Sequence, residues 1–263
     1  MPELLEVETY RAQAEPIVGR RIVEAEAPDA WFVKGTVPEA VVAAVVGRRV
    51  EAVRRHGKLL VLDLDDGRRL GLRFGMTGRL LVDGDASIER LEYASPRSDP
   101  AWDRFRLRFD DGGDLRVRDP RRLGGVSLDP DEGRLGVDAL ALRPGSGDGR
   151  LAAALGASTA PLKARLLDQS RIAGIGNLLA DEILWRAGLD PARPAGGLTP
   201  EEVDRLERAI AETLRELGAR GGSHTGDLRL GATTDGLCPR DGTPLQRRRI
   251  GGRTTYSCPA HQR

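Results

Sequence analysis

The first residues of the chain bring together groups that could carry out nucleophilic chemistry. Pro2 becomes a secondary amine at the chain terminus once Met1 is removed, and Glu3 places a carboxyl group on the next residue. A terminal amine has a pKa near ~8, so an appreciable fraction is uncharged at neutral pH. Attack of such an amine on a sugar C1′ gives a cationic iminium, and the adjacent carboxyl can donate or accept a proton. An acidic run also starts a helix well, so these residues alone leave both interpretations open.

A glycine-containing segment at residues 172–177 is the second candidate for chemistry. Gly174 and Gly176 are spaced one residue apart and precede a stretch of helical period that begins near Asn177. The two glycines allow a tight turn, and the free backbone N–H groups at the start of the next helix then point outward. Such a helix start binds phosphate through its backbone donors and its dipole.

The elements that must position these residues change in type along the chain. Residues 3–15 predict a short helix. Residues 58–64 and 68–74 flank an Asp-Asp-Gly turn and predict a β-hairpin. Residues 104–109 and 115–118 predict a second hairpin, with one apolar face and one arginine face. The arginine face is explained either by a binding role or by simple solvation. This pattern predicts a β-sandwich of roughly 125 residues.

From about residue 131 onward the apolar residues follow helical spacing. Residues 162–167, 177–187 and 201–217 each place apolar residues three and four apart. Thr199 and Pro200 form a good helix start before the last of these segments. The final residues, 238–263, predict a small hairpin that carries both cysteines.

Composition limits the class of protein without identifying it. The chain has 263 residues, 40% of them hydrophobic, which suffices for real cores. No apolar run reaches the length of a membrane span and no apolar signal segment opens the chain, so we expect a cytoplasmic protein with no membrane association. The net charge of +1 argues against a uniformly basic nucleic-acid binder, although the arginines cluster locally. The lysines are Lys34, Lys58 and Lys163.

Four segments together resemble the formamidopyrimidine-DNA glycosylase and endonuclease VIII family. The opening residues 2–9 match the start of its members, except that Leu5 stands in place of a proline. Residues 74–78 (FGMTG) with 119–124 (DPRRLG), residues 167–184 around the glycine turn, and the C-terminal cysteines follow in the family's order. The resemblance covers essentially the whole chain. It implies an α+β multidomain fold with an N-terminal helix and β-sandwich, a helix–two-turn–helix domain and a C-terminal zinc-finger β-hairpin.

The resemblance assigns roles to individual residues. It implies that Pro2 is the nucleophile, that Glu3 is the acid/base residue with Glu6 structural, and that Lys58 belongs to the catalytic group and grips a phosphate beside the lesion. Other positions are expected to contact DNA. They are Met76, Arg121 and Leu123, which fill the gap left by an extruded nucleotide, together with Lys163, Asn177 and the hairpin-tip Arg253. Leu123 replaces a phenylalanine of the family, which puts discrimination of the opposite base in doubt.

The C-terminal hairpin departs from the four cysteines of the family's zinc finger. Cys238 and Asp241 form one pair, Cys258 and His261 the other, and sixteen residues (242–257) separate the pairs. The resemblance therefore implies one structural Zn²⁺ held by two thiolates, a carboxylate and an imidazole, all of which are competent ligands. A hairpin held by packing without zinc is the alternative.

These observations predict three domains and one principal function. The expected domains are residues 1–128, 129–222 and 223–263. We expect a monomeric DNA repair enzyme, a bifunctional glycosylase and abasic-site lyase, acting on double-stranded DNA that contains a damaged base or an abasic site. A catalytically weak damage-binding protein of the same fold, a member specialised for an unusual or bulky lesion, and a zinc-hairpin regulator without chemistry remain as alternatives. The loop at residues 223–237, with His224, is shorter than the family's capping loop, so the lesion is left open.

Overall fold

In a computed structural model that describes residues 2–88, 91, 97–229 and 235–263, the chain divides into two compact units, Met1–Glu132 and Gly133–Arg263. Within the described residues, the first unit contains two α-helices and nine strands. They are α1 (Leu4–Ala14), β1 (Ile22–Glu26), β2 (Val33–Lys34), α2 (Pro38–Val45), β3 (Val50–His56), β4 (Leu59–Leu64), β5 (Arg69–Arg73), β6 (Arg79–Val82), β7 (Asp103–Phe109), β8 (Asp114–Arg118) and β9 (Gly125–Leu128).

The strands of the first unit form two sheets that share one core. One sheet has the order β1-β7-β8-β6 and the other the order β2-β9-β5-β4-β3. Alternate residues of both sheets point inward, as the period of a strand requires, and they pack in one cluster with the inner face of α1. The predicted N-terminal helix and sandwich are therefore confirmed, and both predicted hairpins, β4–β5 and β7–β8, pair antiparallel.

The second unit is helical, with a terminal hairpin. Its elements are β10 (Val137–Asp138), α3 (Arg150–Leu155), α4 (Leu162–Leu167), β11 (Ile172–Ala173), α5 (Asn177–Ala187), α6 (Pro200–Arg220), β12 (Gln246–Ile250) and β13 (Arg253–Ser257). Thr199 caps α6 by accepting from the backbone N of Glu202, and Glu202 completes the capping box, as the sequence suggests. The parallel pair β10–β11 leads the chain into the glycine turn.

The fold agrees with the sequence-based expectation of an α+β chain with a helical segment and a C-terminal hairpin. The three domain boundaries stay a prediction. Part of the loop at residues 223–237 lies outside the described residues, whereas Ser223–Thr225 forms a short 3₁₀ turn with His224 exposed. Among the described residues no helix has the length and apolar character needed to span a bilayer.

Candidate active site and metal centre

The start of α1 fixes Pro2 and Glu3 in the first unit. Pro2 is buried, and Glu3 is the residue that precedes the helix. Glu3 and Glu6 form a capping box in which the backbone N of Glu3 donates to Oε2 of Glu6 at 2.8 Å. Glu6 therefore has the backbone contact that the sequence interpretation gave it. The fully buried Glu3 lies where a helix N-terminus favours negative charge.

The inner face of α1 is anchored to the loop between β5 and β6, residues 74–78. The hydroxyl of Tyr10 donates to O of Gly78 at 3.2 Å, and its ring packs against Phe74 with centroids 4.6 Å apart. Burial raises the pKa of Tyr10, so the hydroxyl stays a donor at any ordinary pH. The helix that begins next to Pro2 is thus held against the loop that carries Met76.

A cavity of about 180 Å³ opens beside Pro2. It is lined by residues from the chain start, the β3–β4 turn and the two loops that follow β5 and β8: Pro2, Val7, Lys58, Arg73, Phe74, Gly75 and Leu123. Three residues that the sequence assigned separately, Pro2, Lys58 and Leu123, are therefore brought together. Glu3 is not among the lining residues, although it adjoins Pro2 in the chain.

Arg73 is a cavity residue that the sequence interpretation missed. Although much of its side chain is open to solvent, partial burial of the guanidinium lowers the pKa of Arg73, and no carboxylate pairs with it among the described residues. A cation that lines a cavity and has no counter-charge beside it can pair with an anion there. The signal available in the sequence was its position directly before the Phe74–Gly78 loop at the end of a predicted strand.

The two loops beside the cavity are in backbone contact. Gly75 has φ of +56°, and an added Cβ there would collide with the backbone of Leu123 and lie 2.6 Å from N of Gly124. Only a residue without a side chain allows both this conformation and this approach. The loop that carries Met76 and the loop that carries Leu123 therefore form one continuous surface.

Buried Asp119 ties these loops together. Its Oδ1 accepts from Oγ1 of Thr77 at 2.6 Å and from N of Arg121 at 3.2 Å, and its Oδ2 accepts from N of Gly124 at 2.8 Å. The carboxylate is fully buried, so these donors replace water. Asp119 belongs to the segment that carries the family resemblance, but sequence reasoning gave it no role.

The three proposed gap-filling residues differ in exposure on this surface. Leu123 is 50% exposed. Met76 is half-buried and Arg121 is exposed, and the guanidinium of Arg121 has no partner within the described part of the chain. Their roles in DNA binding stay predictions.

The arginine face of the β7–β8 hairpin is not an open basic surface. Arg106 and Arg116 lie directly opposite each other, and both donate to the buried carboxylate of Asp114, at 2.8 and 2.6 Å. Arg118 donates to Asp103, and the side chain of Arg108 lies 3.1 Å from that of its cross-strand neighbour Glu24. Cross-strand pairs of opposite charge stabilise a sheet. The arginines of this face are therefore paired within the fold, and the DNA-binding role that the sequence left open for it stays a prediction.

In the second unit, the glycine turn leads into α5 as the sequence predicts. Gly174 has φ of +112°, and Gly176 is the residue that precedes the helix. Gln169 holds the turn, because its amide accepts from N of Gly174 and donates to O of Ile175, at 3.0 and 2.9 Å. Oδ1 of the following Asn177 is buried and accepts no hydrogen bond. The phosphate contact predicted for Asn177 stays a prediction.

Lys163 lies inside the second unit and fastens the hairpin. Its ammonium is 2.7 Å from Oδ1 of Asp181 and donates to O of Thr254 and Oγ1 of Thr255 at 2.9 and 2.8 Å. Burial raises the pKa of Asp181 to about 6, although the adjacent lysine opposes the shift. Lys163 is fully buried, so its predicted contact with DNA stays a prediction that would require this pair to open. The contacts reach the strand that begins at exposed Arg253.

The C-terminal segment brings four potential ligands together. One ligand atom each from Cys238, Asp241, Cys258 and His261 lies within 4.8 Å of all the others. Oδ2 of Asp241 is 3.4 Å from Sγ of Cys258 and 3.0 Å from Nδ1 of His261, which is 3.9 Å from Sγ of Cys238. Ligands about 2.0–2.3 Å from a single tetrahedral ion lie roughly 3.3–3.8 Å apart, so the group could hold a metal ion.

Surrounding contacts act differently on the two sulfur atoms and on the carboxylate. Nε1 of Trp185 donates to Sγ of Cys238 at 3.3 Å. Burial raises the pKa of Cys258, so without a cation beside it this sulfur would remain a thiol. Hydrogen bonding to His261 lowers the pKa of Asp241, which keeps that ligand ionised. Cys238, Cys258 and Trp185 also pack together, so an apolar contribution to the hairpin's stability exists in either case.

Comparison with known proteins places this architecture in one family. Residues 1–126 match the formamidopyrimidine-DNA glycosylase N-terminal domain, and residues 135–227 match the formamidopyrimidine-DNA glycosylase H2TH domain. The chain is 35% identical to a formamidopyrimidine-DNA glycosylase of Chloroflexus aurantiacus, with 100% of this chain and 98% of the relative covered. It is 36% identical to that of Paracoccus denitrificans, with both chains covered in full. The chain belongs to the formamidopyrimidine-DNA glycosylase family.

Solved structures give the same result. Lactococcus lactis Fpg in complex with DNA containing FAPY-dG matches with a TM-score of 0.80 and 27% identity, over 99% of this chain and 100% of the other. The complex of Lactococcus lactis Fpg with DNA containing an abasic site matches with a TM-score of 0.79 and 26% identity, over the whole of both chains. The similarity in fold therefore extends over the entire length.

Proposed function

We propose that this protein is a bifunctional DNA glycosylase and abasic-site lyase that acts on double-stranded DNA. The observation that carries the proposal is the cavity where the buried Pro2 meets Lys58, Arg73 and Leu123. It combines a potential amine nucleophile, cationic groups for phosphate and an apolar side chain on one small surface. Family membership supports the same activity.

The chemistry begins after removal of Met1 frees the Pro2 amine. The amine attacks C1′ of the extruded nucleotide, the bond from C1′ to the base breaks, and the base leaves with a proton. The attached nitrogen loses its proton, and the C1′–O4′ bond of the sugar ring then opens, with a proton delivered to O4′, to give an iminium. This iminium is an electron sink, so a proton is lost from C2′ and the 3′ phosphate departs. A second elimination releases the 5′ phosphate, and hydrolysis of the iminium restores Pro2. Glu3 is proposed to move protons in these steps.

Cations of the same unit are proposed to hold the substrate strand. Lys58 and Arg73 line the cavity, and Arg73 lacks a carboxylate partner among the described residues. A phosphate there would supply the missing counter-charge. Met76, Arg121 and Leu123 are proposed to occupy the space vacated by the extruded nucleotide. Asn177 and Arg253, on the second unit, are proposed as further phosphate contacts.

Zinc is the proposed ion of the C-terminal centre. The donor set of two sulfurs, one imidazole nitrogen and one carboxylate oxygen suits Zn²⁺, and one ligand atom of each residue lies within 4.8 Å of all the others. The metal would supply a structural cross-link between the two ends of the hairpin. Cys238, Asp241, Cys258 and His261 would hold it, and Arg253 at the start of β13 would depend on that cross-link for its position.

Paired glutamine substitutions in α1 test the assignment of the reaction. Glu3→Gln should lower the rate of base release by roughly 10²–10⁴-fold while the affinity for DNA is kept. Glu6→Gln should lower the free energy of unfolding, because the carboxylate that caps α1 is weakened, but spare base release per folded molecule. A Glu6→Gln variant that is stable and inactive, beside an active Glu3→Gln variant, would exchange the two roles. If the native chain bound abasic DNA but released no base from duplexes that contain a damaged base, the damage-binding alternative would be favoured.

A further inference from the structure

Trp31 is a bulky apolar side chain that the fold presents to solvent. It is 68% exposed, more than any other large hydrophobic residue in the described part of the chain. Its chain neighbour Phe32 is completely buried in the core of the first unit. The backbone that carries the indole is therefore fixed, and the exposure is not that of a loose loop.

Short-range contacts lock the indole to a cation. The backbone N of Trp31 donates to Oδ1 of Asp29 at 3.1 Å. Nζ of Lys34 donates to O of Trp31 at 2.6 Å and lies 5.1 Å from the centroid of its ring. This distance is that of a cation–π contact. An apolar face and an ammonium are thus held side by side, which matches the alternation of sugar or base with phosphate in DNA.

The same segment is attached to the loop that carries Leu123. Asp29 accepts two hydrogen bonds from the guanidinium of Arg122, both at 2.6 Å, although Arg122 adopts a left-handed φ of +57°. Lys34 pairs in parallel with the strand that follows this loop, β9. An added Cβ on Gly125 would lie 2.8 Å from the Lys34 side chain, so the two segments run in close contact. Trp31 is consequently carried on the element that braces a proposed DNA-contacting loop.

We propose that Trp31 and Lys34 form an additional DNA-binding point beside the Leu123 loop. The indole packs against a deoxyribose or an unstacked base near the lesion, and the ammonium of Lys34 pairs with the adjacent phosphate. Stacking on an aromatic side chain tolerates any base, so this point adds affinity without sequence preference. The inference rests on the proposed function, because it extends the DNA contacts of the same site. Leu123 supplies no aromatic ring there, and Trp31 supplies one on the neighbouring segment.

Binding of a fluorescent duplex with a tetrahydrofuran abasic-site analogue tests this point. Trp31→Ala should weaken affinity about ten-fold, whereas Trp31→Phe should keep most of it. Val37→Ala, at a position 57% exposed on the same unit, is the matched control and should bind within about two-fold of the native chain. Lys34→Gln should reduce the slope of log affinity against log salt by about 0.9. Tryptophan fluorescence should be quenched by DNA in the native chain and much less in Trp31→Phe.

Two results of the DNA-binding experiments would contradict the inference and leave the proposed function intact. One is affinity of Trp31→Ala within two-fold of the native chain, and the other is undiminished quenching in Trp31→Phe, each with normal borohydride cross-linking of the native chain. An effect of Trp31→Ala on self-association alone would show that a second copy of the chain occupies the patch, and would equally reject it. Failure of the native chain itself to bind or cross-link abasic DNA would instead reject the proposed function.

Discussion

Two sets of arginines in the first unit have opposite surroundings. On β7 and β8, each guanidinium faces a carboxylate, and buried Asp114 serves both Arg106 and Arg116. Beside the Pro2 cavity, Arg73 and Arg121 have no carboxylate partner within the described residues. The first set is used to stabilise the sheet, whereas the second set keeps its charge available to a ligand. The number of arginines on a face therefore says little about binding until their partners are known.

The largest expected effect is that of replacing Asp119, the buried aspartate that holds the loops beside the Pro2 cavity. Asp119→Ala leaves Thr77 and two backbone N–H groups without their acceptor, so the free energy of unfolding should fall by about 3 kcal/mol. The rate of base release should also fall roughly 10²-fold in molecules that remain folded, because both cavity loops shift. Urea unfolding and single-turnover base release measure the two effects.

Asp114→Ala is the matched control for that experiment. Its carboxylate is also buried, so a comparable loss of stability is expected, but it supports only the paired arginine face. Base release per folded molecule should stay near the native rate. Equal losses of activity in the Asp114 and Asp119 variants would remove the distinction between the two regions.

Removal of the proposed metal ligands should have the next largest effect, because the exposed Arg253 lies on the hairpin that the proposed ion would cross-link. The Cys238→Ser, Cys258→Ser double variant should contain no zinc and bind DNA about ten-fold more weakly, with the helical part of the second unit still folded. Metal analysis, DNA titration and circular dichroism decide this. Full DNA binding by metal-free protein would show that packing around Trp185 suffices to hold the hairpin.

Arg73→Ala compared with Arg108→Ala tests the two arginine sets directly. Loss of the unpaired Arg73 should weaken DNA binding several-fold and flatten the salt slope by about one unit. Arg108, half-exposed beside Glu24, should be replaceable with a change in stability of less than about 1 kcal/mol and no change in slope. The distinction between the two arginine sets would be contradicted if both variants changed the slope of log affinity against log salt by the same amount.

Leu123→Phe is expected to give the smallest change. Leu123 is half-exposed at the cavity rim, and an aromatic ring there stacks on a base better than an aliphatic side chain does. Affinity for duplexes with an abasic analogue should rise about three-fold and should depend more strongly on the opposite base than it does in the native chain. Unchanged affinity for all four opposite bases would show that this position does not reach the base stack.

Local sequence patterns predicted several helices, turns and hairpins, but they did not predict which charged side chains pair with each other. The capping box of α6, the glycine turn before α5 and both sandwich hairpins follow from short-range rules, and the structure contains them. The pairing of Arg106 with Asp114 depends on strand register, and that of Asp29 with Arg122 joins residues 93 positions apart. No local pattern shows such partners. Arg73 was missed for the same reason. It matters because no carboxylate pairs with it among the described residues, and a sequence pattern cannot show this.

Borohydride trapping is the measurement that tests the Pro2 cavity most directly. The native chain, with Met1 removed, is mixed with duplex DNA containing an abasic site and treated with borohydride, which reduces an iminium to a stable cross-link. Mass spectrometry should then place the DNA-derived sugar on the amine of Pro2, and a Pro2→Gln variant, whose large second residue keeps Met1 in place, should give no cross-link at position 2. A cross-link that persists in this variant, or that maps to Lys58, would contradict the assignment of Pro2 as the nucleophile.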